Sequence, residues 1–169
     1  MIPSLLWTAV FLVPAAMYCI INLAAVSIFT MLAVSLIPVL FPNAFFDSIQ
    51  LSGNAHFYKK IGVMYVNKFA QYGTLVTKHL KRKFPGYKVV DRSKASIRKQ
   101  YYQTYFFEKF HFALFVFFTI LTIHAMSQGH LYGVFILAIS NLLYNVYPNL
   151  LQQYIRVKLK PAVKAFTRP

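Results

Sequence analysis

Acidic side chains are nearly missing from this chain. Asp47, Asp91 and Glu108 are the only three, against 18 lysines and arginines, and charged residues of both signs make up just 12% of the sequence. A soluble domain carries about twice that share of charge. There is one cysteine, Cys19, inside an apolar run. No disulfide within the chain is therefore available. The N-terminal stretch lacks a basic n-region and is too long for a cleaved signal peptide, which makes it a retained membrane anchor. No histidines or cysteines fall at metal-ligand spacing, so neither a metal site nor any other cofactor is expected. No serine or cysteine nucleophile signature is present, which favours direct group transfer over a covalent enzyme intermediate.

Long uncharged apolar blocks separated by basic blocks are what remains. The first lysine is Lys59; thirteen of the eighteen basic residues lie between Lys59 and Lys109, five lie from Arg156 onward, and none lies between. Basic blocks flanking apolar spans follow the positive-inside rule and need no nucleic acid to explain them. The expected fold is an all-α, polytopic integral membrane protein of about four transmembrane helices with an interfacial amphipathic helix. Its 169 residues form a single membrane domain. Residues 1–46 make an N-terminal hydrophobic hairpin, read as helices at about 4–21 and 24–41 with a turn near Asn22. A single long, kinked helix is the alternative there. Residues 47–103 form a basic cytoplasmic segment. Within it Phe57, Ile61, Met64, Tyr65 and Phe69 mark one helical stripe that lies on the headgroup layer. Asp91 or Ser93 caps the next helix. That helix runs to about Met126, opening with an aromatic belt of Tyr101, Tyr102, Tyr105, Phe106 and Phe107. Residues 104–152 form a second transmembrane hairpin turning at 127–130, and 153–169 form a basic tail, the return helix ending by Pro161. The inner membrane of a bacterium, with the basic segments cytoplasmic, is the expected location.

Ionisable residues at membrane depth mark function by default. Folding the second hairpin antiparallel places His111 at the level of Val146 and Glu108 at that of Asn149. Asn141, Asn145 and Asn149 form one polar stripe that Gln152 and Arg156 continue. In a catalytic reading, His111 is a general base and Glu108 its orienting partner. Asn145, Asn149 and Gln152 then act as oxyanion or orienting groups. Arg156, with Lys81, Arg82 and Lys83 of the basic segment, binds anions. The structural reading of the same residues stays open. Glu108 can pair with Lys109, Arg156 or a tyrosine hydroxyl, and asparagines in spans often serve as interhelical glue.

Gln103-Thr104, Glu108 and His111, followed by Asn145-Val146, Gln152, Tyr154, Arg156 and Leu159, resemble the glycosyl-4,4'-diaponeurosporenoate acyltransferase family. Its pattern is roughly E-T-x-x-A-E-x-x-H on one helix and N-x-P-x-x-x-x-Q-R-Y-N-R-x-R-L on the next. Residues 57–62 (FYKKIG) resemble the family's F-[WY]-x-K element. The first Glu of the pattern is Gln103 here, the Arg after Gln152 is Gln153, the Asn after Tyr154 is Ile155, and the Pro appears one position late as Pro148. The resemblance implies a membrane acyltransferase moving a fatty acyl group to a sugar hydroxyl of a glycosylated lipid or carotenoid. It implies membrane lipids and an acyl-CoA or acyl-carrier donor as partners. The rival reading is a non-catalytic membrane subunit or lipid-binding component, held to a membrane protein partner; a small transporter is a third.

Overall fold

The computed structural model describes residues 2–65 and 93–167, and among these it is all-helical. In chain order come α1 (Ile2–Asn22), α2 (Ala25–Leu36), a 3-10 turn (Ile37–Leu40), α3 (Asn43–Ser48), α4 (Ala55–Lys60), α5 (Lys94–Ser127), α6 (Leu131–Asn141), a π turn (Leu142–Val146) and α7 (Tyr147–Thr167). Lys81, Arg82, Lys83, Asp91 and Phe69 of the amphipathic stripe lie outside the described residues.

Among the described residues, two helical stretches are long and apolar enough to cross a membrane: Lys94–Ser127 and the continuous Leu131–Phe166. The apolar stretches Thr8–Asn22 and Ala25–Leu40 are shorter. The expected break near Asn22 is present, with Ala24 extended between α1 and α2. The pair is not a self-packed hairpin, however. α1 lies against α6, while α2 and the 3-10 turn lie against α5, so the second hairpin is flanked on two sides.

Local chemistry explains the second hairpin. The Ser93 hydroxyl accepts from the Ser96 N–H at 3.3 Å and starts α5. Neither proline nor glycine interrupts the next 34 residues. The helix ends in a Schellman motif. Gly129 takes φ +70°, its N–H donates to the Met126 carbonyl, and the His130 N–H donates to that of Ala125. The return rod runs on through Pro161 instead of ending there. The π turn sits one residue before the start of the Tyr147-Pro148 step. Proline has no N–H to offer the carbonyl four residues back, and an inserted residue is a usual accommodation.

Lipid tails supply no hydrophobic drive for helix association, so small residues and polar glue must serve. At the hairpin's turn end, Ala15, Ala125 and Leu137 are buried with Phe117, Phe118 and Leu121. There the Tyr18 hydroxyl lies 3.0 Å from His124 Nδ1 and 3.3 Å from His130 Nδ1. These polar links hold the Tyr18 ring in place. A Cβ built at Gly133 would meet that ring at 3.0 Å. Gly133→Val is therefore expected to destabilise the protein by about 1–3 kcal/mol through overpacking, read as a lower melting temperature in detergent. An unchanged melting temperature would mean that Tyr18 moves freely.

The amphipathic segment departs from the expected stripe. Gly62 takes φ +85° and closes α4 after one and a half turns. Tyr58 and Val63 are the buried residues, packed on Leu151 and Tyr154 of α7, while Phe57 and Tyr65 face outward. The aromatic belt also divides: Tyr102, Phe106 and Phe107 are exposed, whereas Tyr105 is buried.

Candidate functional site

A caged ion pair lies where α5 meets α7. Glu108 and Arg156 are each 1% exposed. Arg156 Nη1 donates to Glu108 Oε2, Nη2 donates to the Phe46 carbonyl at 3.0 Å, and Nε donates to Gln50 Oε1 at 3.2 Å. Asp47 Oδ1 stands 3.4 Å from Nε, and the guanidinium lies 4.5 Å over the Tyr105 ring. The Tyr105 hydroxyl donates to the same Asp47 oxygen at 2.8 Å. Two of the three carboxylates in the chain are thus grouped around one arginine. A buried charge needs a partner and satisfied hydrogen bonds, and residues 46–50 supply what α5 and α7 alone do not.

Gln153 completes the cage. Its Nε2 donates to Glu108 Oε1 at 2.9 Å. Its Oε1 accepts from the Leu51 N–H at 3.2 Å and lies 3.1 Å from the Tyr58 hydroxyl, which also reaches the Ser52 carbonyl at 3.0 Å. Burial pushes the Tyr58 phenol above its ordinary range, with the Ser52 bond and nearby Arg156 opposing, so it remains a neutral donor. One glutamine therefore ties α5, α7 and the 51–58 segment together.

Toward the turn end, a second polar column has a different character. Asn141 Nδ2 donates to the Phe115 carbonyl at 3.2 Å and to Thr119 Oγ1 at 3.1 Å. Asn145 Nδ2 donates to Asn141 Oδ1 at 2.9 Å. The Phe115 carbonyl can only accept, so it fixes the Asn141 amide, and Asn141 in turn fixes Asn145. Asn145 Oδ1 is left as an acceptor, buried and without a partner. His111 Nδ1 and Asn149 Oδ1 share that condition. The imidazole lies beside the Tyr144 backbone and the Asn145 side chain, with its ring 5.8 Å from that of Tyr144. Three buried, unpaired polar atoms on facing helices call for an explanation, and here they fall within about one turn of the second hairpin.

The structure brings together most of the expected residues but regroups them. His111 meets Tyr144 and Asn145, close to the expected level. Glu108 bonds to Gln153 and Arg156, about a turn beyond Asn149. No hydrogen bond joins Glu108 to His111, so the carboxylate serves the arginine and not the imidazole. This is the structural reading of Glu108, and the Asn141–Asn145 link is likewise interhelical and intrahelical glue. Arg156 faces inward with its donors engaged, which removes it as a ready anion contact. Gln152 is half-buried and makes no hydrogen bond among the described residues; Gln153 stands in the network instead. The π turn inserts one residue, so the inward face falls one position later in the sequence than an unbroken α-helical count places it. Pro148, one position late against the family pattern, was the available signal. Gln153→Leu should cost about 1–3 kcal/mol by orphaning Glu108 Oε1 and the Leu51 N–H. Gln152→Leu should change stability by less than about 0.5 kcal/mol. Equal melting temperatures for the two variants would refute the assignment.

Among the described residues, no group of three metal-ligating side chains is found. A family model described as glycosyl-4,4'-diaponeurosporenoate acyltransferase matches residues 42–165, most of the chain. Neither the curated proteins nor the solved structures gave a match.

Proposed function

The chain belongs to the glycosyl-4,4'-diaponeurosporenoate acyltransferase family, and on that premise we propose that it transfers a fatty acyl group to a sugar hydroxyl of a glycosylated lipid or carotenoid, in the bacterial inner membrane with its basic segments cytoplasmic. The observation that carries this reading is the trio His111 Nδ1, Asn145 Oδ1 and Asn149 Oδ1, buried and without a hydrogen-bond partner within about one turn of the second hairpin. Two are amide oxygens, which accept. The ligand that satisfies them presents hydrogen-bond donors, as the hydroxyls of a sugar do.

The chemistry follows from those positions. The Tyr144 carbonyl can accept from one ring N–H of His111, which leaves the other nitrogen as base. That nitrogen takes the proton of the attacking hydroxyl as its oxygen bonds to the acyl carbon. The tetrahedral intermediate collapses with cleavage of the bond to the leaving group, which recovers the proton from His111. Asn145 Oδ1 orients a sugar hydroxyl and does not donate to an oxyanion. Asn149 makes no hydrogen bond among the described residues, so its amide N–H groups are the better oxyanion donors. Glu108, Arg156 and Gln153 are positioning residues that hold α5 and α7 in register.

Mass spectrometry of total lipids and pigments from a deletion strain and its parent tests this. One glycosylated species lacking its acyl chain should accumulate, and complementation should remove it. Identical profiles, with a stoichiometric membrane protein partner co-purifying, would instead support the non-catalytic reading, which the internally satisfied Glu108–Arg156 pair favours.

A further inference from the structure

Tyr144 sits in the middle of the π turn and touches the candidate base in two ways. Its backbone carbonyl accepts from a ring N–H of His111. Its own ring meets the imidazole edge-on, with centroids 5.8 Å apart and planes at 79°. The orienting partner expected from sequence, Glu108, has its oxygens held by Gln153 and Arg156, so that role falls to another residue. An imidazole that serves as a base is kept in one tautomer by the group on its second nitrogen. A carbonyl does this as long as its own peptide unit stays in place, and this one lies in a π turn, where the regular helical ladder is interrupted.

Tyr144 is in turn fixed from α1. Its hydroxyl lies 3.0 Å from Thr8 Oγ1, and either group can donate. Its ring lies against that of Phe11, with centroids 5.9 Å apart. Thr8 and Phe11 are three residues apart and share one face of α1, and Phe11 is buried there. At membrane depth neither hydroxyl has water as a substitute partner. The two residues of this bond are 136 apart in sequence, and α1 precedes the stretch shared with the family. The contact brings to the site a helix that neither the motif residues nor the second hairpin supplies. We infer that the Tyr144 side chain, pinned by Thr8 and Phe11, sets the orientation of His111 for proton transfer. Tyr144 and Thr8 are positioning residues that act through the imidazole, and α1 is part of the site's scaffold as well as an apolar anchor. This inference rests on the acyl-transfer reading for the role of His111 as base.

Two measurements on the full chain in nanodiscs test it. One is turnover per folded molecule with palmitoyl-coenzyme A as donor and monoglucosyl diacylglycerol as acceptor. The other is nitrogen NMR of labelled histidine side chains, with the His111 signals identified by their loss in His111→Ala. Tyr144→Phe keeps the ring and the carbonyl and removes the hydroxyl. It should lower kcat roughly tenfold with KM unchanged, and should turn one His111 tautomer into a mixture. Thr8→Val should do the same, and Thr8→Ser, which keeps a hydroxyl, should recover most of the rate. Tyr144→Phe combined with Thr8→Val should lower kcat no further than either alone, because both remove one bond. A bond that serves the fold alone would lower the melting temperature and leave kcat per folded molecule and the tautomer signals unchanged, which would overturn the inference. So would additive losses in the double variant. Should Tyr144→Phe not fold, Thr8→Val puts the same question from the other side of the bond. A wild type that forms no ester would fault the proposed reaction, and the tautomer signals of the two variants then decide the hold on His111 by themselves.

Discussion

Arg156→Ala should destabilise the protein by about 3–5 kcal/mol, the largest loss expected from any single substitution at the helix junction. The reason is what remains after the arginine goes. Glu108 is left at 1% exposure with one amide donor, Gln153, and must hold an uncompensated charge or take up a proton. The Phe46 carbonyl and Gln50 lose their donor, and Tyr105 loses the cation over its ring. Lysine cannot replace the planar fork that reaches Glu108, Gln50 and Phe46 together, so Arg156→Lys should recover only part of the loss. Removing both charges is different. Glu108→Leu with Arg156→Met abolishes the uncompensated carboxylate and should regain at least half of the stability, because Asp47, 46% exposed, can be solvated. A thermal or denaturant series in detergent measures all three variants beside the wild type. A double variant as unstable as Arg156→Ala would mean the pair is not the source of the effect.

The second large effect is on chemistry. His111→Ala should reduce acyl transfer about 10²–10⁴-fold, the usual contribution of a general base. The fold should change by only about 1–2 kcal/mol, because the ring contributes edge packing on Phe110 and Tyr144 and a hydrogen bond to the Tyr144 carbonyl. Turnover in isolated membranes supplied with donor and glycosylated acceptor separates the two readouts. Undiminished product would take His111 out of the mechanism. The opposite pattern, a large stability loss with transfer retained per folded molecule, would give the imidazole a packing role.

These two predictions concern residues that the chain's chemistry marks in different ways. Glu108 is conspicuous because acidic residues are so few and because it borders an apolar run. Its partner was among the alternatives open from sequence, Arg156, and the structure chose it. His111 was legible as a titratable group three residues on, and proximity in sequence suggested that the two cooperate. They do not: a hydrogen bond depends on where side-chain atoms meet, and both oxygens of Glu108 are taken from across the bundle.

Hydropathy, charge spacing and capping chemistry by themselves determined the helical class and the turn at 127–130, and narrowed the start of α5 to Asp91 or Ser93 and the N-terminal block to a break near Asn22 or one kinked helix. They also marked a polar face on the return helix. Each of these is set by local propensity or by the contrast between apolar and basic blocks, which a linear chain displays directly. Tertiary structure alone decided that α1 and α2 flank the hairpin and that residues 46–58 wrap Arg156 and Gln153. It also decided that Gln153, not Gln152, faces inward. Those outcomes depend on one inserted residue in a π turn and on contacts such as Lys109–Val39 and Arg156–Phe46, 70 and 110 residues apart, and no periodicity within a single helix carries that information.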